Sequence, residues 1–163
     1  MERRNIFIII IIIILVALIG IGVTLYEQQQ VKSHLTQANN YHSQMMAYNP
    51  QLESSTVKED VPIIEKNIKP LETNELNELR AANTMFASSN QKEYINAAIQ
   101  INTDNSKIDD LEIAVSKTTN LGELENDATD LTNIKKDMTT STNTRDSIVA
   151  AHPEEFGFEV VKN

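Results

Sequence analysis

Cysteine and tryptophan are both absent from the 163-residue chain. Without cysteine there is no disulfide, no thiolate metal site, no thiol nucleophile and no lipidated cysteine of the lipoprotein type. Aromatic residues are few, four Phe and four Tyr, so a thick aromatic core is not available. Any folded part must bury narrow apolar stripes on helices. Glycine is scarce as well, and only Gly122 and Gly157 lie beyond the first 25 residues. That leaves no Gly-rich phosphate loop and no Gly-x-Ser-x-Gly nucleophile elbow. No Asn-x-Ser/Thr acceptor occurs despite abundant Asn, Ser and Thr. Together with the Ile- and Asn-heavy usage, this tilts the reading towards a prokaryotic protein.

Basic residues are also in deficit, 14 Lys and Arg against 23 Asp and Glu. With Arg3, Arg4 and Glu2 set aside, residues 26–163 carry 12 basic and 22 acidic side chains, a formal charge of −10. Such a domain repels phosphate backbones, so nucleic acid is not expected as a partner. The charge suits solubility, a cationic partner or loosely held divalent ions.

What the chain does have is one long apolar run. Ile6 to Val23 are 18 consecutive residues without a polar side chain, with seven Ile in a row from Ile8 to Ile14, and Thr24 and Leu25 extend the run to 20. At about 1.5 Å per residue that length spans the hydrocarbon layer, roughly 30 Å thick. Inside lipid a helix satisfies every backbone polar group within a single segment. Arg3 and Arg4 precede the run, and the next basic residue after it is Lys32. The positive-inside bias therefore predicts a cytoplasmic stub (1–5), a transmembrane signal anchor (6–25) and everything after it outside the cell membrane. Tyr26 stands where an interfacial aromatic anchor belongs. The rival reading is a cleaved signal peptide, with Gly20-x-Gly22 as its cleavage site. The run is longer than the usual h-region and glycine at both small positions makes a poor site. A pilin-like N-terminus would want Gly or Ala before the cleavage point and Glu soon after, and has neither.

Beyond the run, helical spacing continues. Val31, Leu35, Ala38, His42 and Met45 follow a 4-3-4-3 stripe, which predicts one helix from the membrane to about Tyr48, stopped by Asn49-Pro50. Thr56-Val57-Lys58-Glu59 fits a capping box, with Asp60 as an alternative cap. Val57, Val61, Ile64, Ile68 and Leu71 form a second stripe. It resumes as Leu76, Leu79, Asn83 and Phe86, one residue out of phase, with the slip at Pro70. The spacing predicts a helix over about 57–88, kinked or broken near Pro62 and Pro70. After a turn at Ser88-Ser89-Asn90, with Asn90 and Glu93 as cap and partner, Tyr94, Ala98, Ile101, Asn105, Ile108 and Val115 mark a third helix to about Thr118, with Leu111 beside the stripe. Leu121, Leu124, Ala128, Leu131 and Met138 mark a fourth. The polar run Thr139–Thr144 is expected to break it before a short helix over 145–151. Residues 152–163 are expected as a flexible tail, frayed or loosely docked.

The fold class is accordingly all-α: one transmembrane helix continuing into an extracytoplasmic antiparallel bundle of about four helices over 26–151. An extended helical hairpin turning at 88–90 is the alternative. The stripes are thin, so stability is expected to be modest, with oligomerisation able to supply burial.

No residue set reads as catalytic, cofactor-binding or metal-ligating, and no cofactor is expected. His34 and His42 are eight positions apart, about 12 Å along one helix, too far for one metal ion. His42 reads as a polar interruption of its stripe. A di-iron bundle wants Glu-x-x-His, and Val31, Asn39 and Val149 stand three residues before the histidines. His152-Pro153-Glu154-Glu155 could grip a metal weakly. Asp104-Asn105-Ser106 and Asp109-Asp110 lack the Gly and the final Glu of a calcium loop. Glu59-Asp60 and Glu123 with Asp127 read as solvated faces set against Lys58, Lys66, Lys135 and Lys136.

These readings point to a non-enzymatic protein with a structural or interaction role. Its partners would be the lipid bilayer and either itself or another membrane protein. The layout also resembles the extracytoplasmic four-helix bundle of chemoreceptors and sensor kinases, whose first membrane helix runs straight into the bundle. That resemblance covers shape alone, over residues 5–151, and no motif. It implies a sensor-like ligand-binding module acting through a membrane partner, because no second apolar run follows the first.

Overall fold

The computed structural model describes residues 2–85 and 87–157, with side chains from Gly22 onward except that of Val57. Among the described residues every regular element is helical and there is no strand. Helix α1 runs Glu2–Met46 as one uninterrupted rod. A single turn, α2 (Asn49–Leu52), opens with Pro50 in its first turn. That is where a ring without an N–H is tolerated. No helix is, among the described residues, long and apolar enough to cross a membrane. The run Ile6–Val23 falls mainly on residues 1–21, whose side chains lie outside the described residues.

Helix α3 (Val57–Ile63) starts on the expected capping box: Thr56 and Glu59 satisfy one another's backbone donors. The helix then passes through a π-helical turn, Ile64–Ile68, into α4 (Lys69–Thr84). The amide of Lys69 donates to the carbonyl of Ile64, five residues back. A π-turn takes up one extra residue, and this is the physical form of the one-residue slip in the apolar stripe. Pro70 cannot donate to residue 66 and its ring crowds that carbonyl. The wider turn relieves both without ending the helix.

Helix α5 (Ser89–Lys117) begins two residues earlier than the spacing suggests. Its cap is Ser88, paired with Gln91, and not Asn90 with Glu93. Helix α6 runs Leu121–Ala151 without the expected break at 139–144. The hydroxyls of Thr139, Thr140 and Thr144 donate to the carbonyls of Lys135, Lys136 and Thr140. Four-residue back-bonding of this kind lets a Thr-rich stretch stay helical while hiding its polar groups.

The order of packing is α1 on α4, α4 on α5 and α5 on α6. The pairings run antiparallel: His34 and His42 meet Glu78 and Glu75, and Asn102 and Asp110 meet Glu75 and Lys69. One core, at the end nearer the apolar run, draws on every long helix. It holds Val31, Leu35 and Ala38 of α1, Leu79 and Ala82 of α4, Tyr94, Ile95 and Ala98 of α5, and Ile148 of α6. Phe156 completes it, fully buried, with its ring stacked on Tyr94 at 4.8 Å. The stretch 152–157, expected as part of a loose tail, is therefore docked; residues 158–163 lie outside the described residues. A smaller core joins Met45, Ile64 and Ile68 with Tyr48, Leu52 and Ile113 at the other end.

The α1 stripe is buried as the spacing requires, at Val31, Leu35, Ala38 and Met45. The fourth stripe is not. Ile148 is the only buried residue described in α6, and Leu121 is 82% exposed. Helix α5 outruns the first core, and among the described residues the apolar side of the N-terminal half of α6 packs chiefly on α5.

Candidate functional site

The site with the most concentrated chemistry is a polar seam along α4. Glu72, Glu75 and Glu78 recur every third residue. Each such step rotates about 60° backwards around the helix, so the row crosses from the side of α4 that faces α1 to the side that faces α5. Glu78 meets α1, with Oε2 2.5 Å from Nδ1 of His34. Glu75 lies between both neighbours: Oε1 is 3.4 Å from Nδ1 of His42, and Oε2 accepts from Nδ2 of Asn102 at 2.9 Å. The same Asn102 amide donates to the backbone carbonyl of Glu72 at 3.1 Å. Asn102 is 2% exposed and Glu75 7%, so this junction is a buried polar layer holding three helices in register.

Glu72, the last of the row, faces α5 and finds another acid. It is 4% exposed. Burial and the nearby Asp109 carboxylate push its carboxyl up to about 7, against weaker help from the Ser106 hydroxyl and Lys69. Asp109 is pushed up to about 6, again chiefly by burial, opposed by Lys69. One oxygen of each, Oε2 of Glu72 and Oδ2 of Asp109, is buried without a hydrogen-bond partner. At the edge of the seam Lys69 Nζ reaches Asp110 Oδ1 at 2.7 Å. Asp104, 1% exposed, takes donors from Gln100 and Lys107, all at 3.0 Å.

A small cavity adjoins the seam at the level of His42 and Glu75. Asn39, Tyr94 and Arg145 also line it, so all four long helices contribute. Its volume of about 20 Å³ suits a single water molecule among polar partners. A larger, apolar groove of about 410 Å³ lies between α5 and α6, lined by Ile108, Leu111 and Val115 on one side and Leu124, Ala128 and Leu131 on the other.

The structure gives each residue weighed from the sequence a definite place. His34 and His42 stand against glutamates of α4, His42 as the polar step in an otherwise apolar stripe. His152, Glu154 and Glu155 do converge, with ligand atoms within 4.8 Å of one another, the only such trio among the described residues. Glu155 is nonetheless engaged: its carboxylate accepts from Ser88 Oγ at 2.8 Å and from Asn90 Nδ2 at 3.2 Å, pinning the C-terminal segment to the α4–α5 turn. Glu59 is exposed, as a solvated face requires, and also serves a cap, where the Thr56 backbone and hydroxyl hold its carboxyl below the usual range. Asp60 is 4% exposed and bonded to Ser55. Glu123 caps the turn before α6 through Thr118 and Asn120. Glu72, Glu75 and Asn102 escaped the sequence reading because charged and amide residues count as surface in a periodicity search. The available signal was the three-residue repeat of Glu on a face that must pass between two partner helices.

Compared with protein-family models, with curated proteins and with solved structures, the chain matches none.

Proposed function

We propose that the protein is a single-pass membrane-anchored, extracytoplasmic helical module whose role is structural or protein-binding and not catalytic. Ile6–Val23 is the anchor, Arg3 and Arg4 stay in the cytoplasm, and residues 26–151 form the outer domain. Two features support this assignment. The helix of the anchor and that of the domain are one rod, α1. Val23, Leu25 and Tyr26, directly after the apolar run, are 53%, 59% and 63% exposed. Large apolar groups bared together at that level are suited to the lipid interface.

The observation that carries the interaction role is the α5–α6 groove. It brings together six apolar side chains of α5 and the N-terminal half of α6, and no residue of that half of α6 is buried among the described residues. A contiguous apolar surface on a polar, acidic domain is the mark of a surface meant to be covered. The sensor-like alternative has a weaker footing, since the cavity between the four helices has room for about one water molecule.

The absence of cysteine makes the test clean, because each introduced thiol is unique. Leu131→Cys, labelled with a short photo-crosslinker in native membranes, is expected to give a discrete adduct, while Ser33→Cys on the outer face of α1 gives none. An adduct of twice the subunit mass identifies a second copy. Equal or no crosslinking from both positions contradicts an interaction role for the groove. Release of the intact chain by alkaline carbonate contradicts the anchor.

A further inference from the structure

The seam pairs two of its three glutamates with histidines of α1 and leaves the third facing an aspartate. Glu72 Oε2 and Asp109 Oδ2 sit on opposite sides of the α4–α5 interface, and each exposes less than 1 Å² to solvent. A buried carboxylate oxygen without a partner is unfavourable, because it has given up its water and gained no bond in return. Two of them at one helix interface call for a ligand. The space selects it. A divalent cation wants six or more oxygens at over 2 Å. Here the Lys69 ammonium stands beside the two carboxyls and acts against a second cation. Water reaches neither oxygen. A proton needs no room.

We propose that the buried carboxyls of Glu72 and Asp109 are held in the neutral form at the α4–α5 interface, and that loss of their protons loosens the α4–α5 contact, so that the tightness of the bundle follows the pH of its surroundings. The charges around the pair are mixed. From α4, Lys69 favours ionisation and Glu75, itself held by His42 of α1 and Asn102, opposes it. From α5, Asp110 and Glu112 oppose it; Glu112 is in turn raised by burial and Asp60 of α3, against Lys135 of α6. The helix interface, not a single neighbour, therefore keeps the protons in place.

Both folded values, about 7 and about 6, lie above the ordinary 4.5 and 3.8. The neutral acid is the form the fold prefers. Its contribution is complete below the ordinary carboxylate range and is lost as pH climbs through about 6 to 7. The Asp109 carboxylate raises Glu72, so the titration of Glu72 depends on the charge of Asp109. This device stands whether or not the groove binds a partner.

The test uses the full chain in detergent micelles. Thermal unfolding of the wild type is expected to fall by about 5 °C between pH 5 and pH 8, and Glu72→Gln, which keeps the neutral shape, is expected to lose at least half of that fall. Carboxyl-carbon NMR on the wild type should show one Glu titrating near neutrality, moved down by about one unit in Asp109→Asn. An unchanged pH slope in Glu72→Gln overturns the proposal. So does a spectrum in which every Glu titrates in the ordinary range, a readout that needs no variant to fold.

Discussion

The two ends of this bundle are built from similar residues and packed differently. Near the apolar run, α1, α4, α5 and α6 enclose Leu35, Leu79, Ile95 and Ile148, and Phe156 returns from the chain end to close the core. At the far end Met45, Ile64, Ile68 and Ile113 close a smaller core on one side of α5, while on its other side Leu124, Ala128 and Leu131 of α6 line a groove. Leu, Ile and Ala serve both ends, so composition does not set the difference. Which face of α5 the other helices reach does. A stripe is buried only if a third element reaches it: Ile113 of α5 meets Met45, Ile64 and Ile68, whereas Ile108, Leu111 and Val115 turn to α6 and line the groove. The contrast teaches that a thin stripe can be a core position or an offered surface according to which face its neighbours reach.

The largest effect expected from this contrast is in the first core. Phe156→Ala removes a fully buried, stacked ring and should cost about 3–5 kcal/mol in denaturant unfolding of the micelle-bound chain. A cost under about 1 kcal/mol would show that the C-terminal segment does not hold the bundle. The paired substitution Leu131→Ala in the groove should cost no more than about 1 kcal/mol, since its side chain is only half-buried. A loss as large as that of Phe156→Ala would mean the groove is core.

Caps sharpen the comparison further. Ser88 holds the start of α5 through Gln91 and also receives Glu155 as a partner. Ser88→Ala should therefore cost about 1–2 kcal/mol, and Asn120→Ala at the start of α6, where the cap is exposed, about 0.5–1 kcal/mol. Reversal of that order would place the firmer end of the bundle at α6. The smallest effect belongs to Leu121→Ser. At 82% exposure it should shift the unfolding midpoint by the equivalent of about 0.5 kcal/mol or less, and improve solubility.

Much of the architecture was legible in the chain, for reasons particular residues make plain. Val31, Leu35, Ala38 and Met45 are buried because a helix with a 4-3-4-3 stripe has one face to hide. The Thr56–Glu59 box marked the start of α3 because its reciprocal bonds need those two residue types at that spacing. The slip at Pro70 announced a discontinuity, though the π-turn that absorbs it was not readable as such. Thr139–Thr144 misled, because hydroxyls that favour turns can equally bond backwards within a helix. Phe156 was hidden by its position near the chain end, where no periodic pattern surrounds it. Glu72, Glu75 and Asn102 were hidden by their polarity: burial of such groups is decided by partners on other helices, which a single sequence does not align. The apolar stripe of α6 was read correctly as apolar and incorrectly as core. Spacing shows which side of a helix is oily and not whether anything covers it.

Hydrogen exchange on the full chain in lipid or detergent tests the contrast most directly. Amides of α5 over 91–102 and of α6 over 145–151 should be the most protected in the outer domain, and those of α6 over 121–138 should exchange at least about tenfold faster, with that difference shrinking when the groove is occupied. Uniform protection along the whole of α6 in the isolated chain would contradict a bundle closed at one end and open at the other.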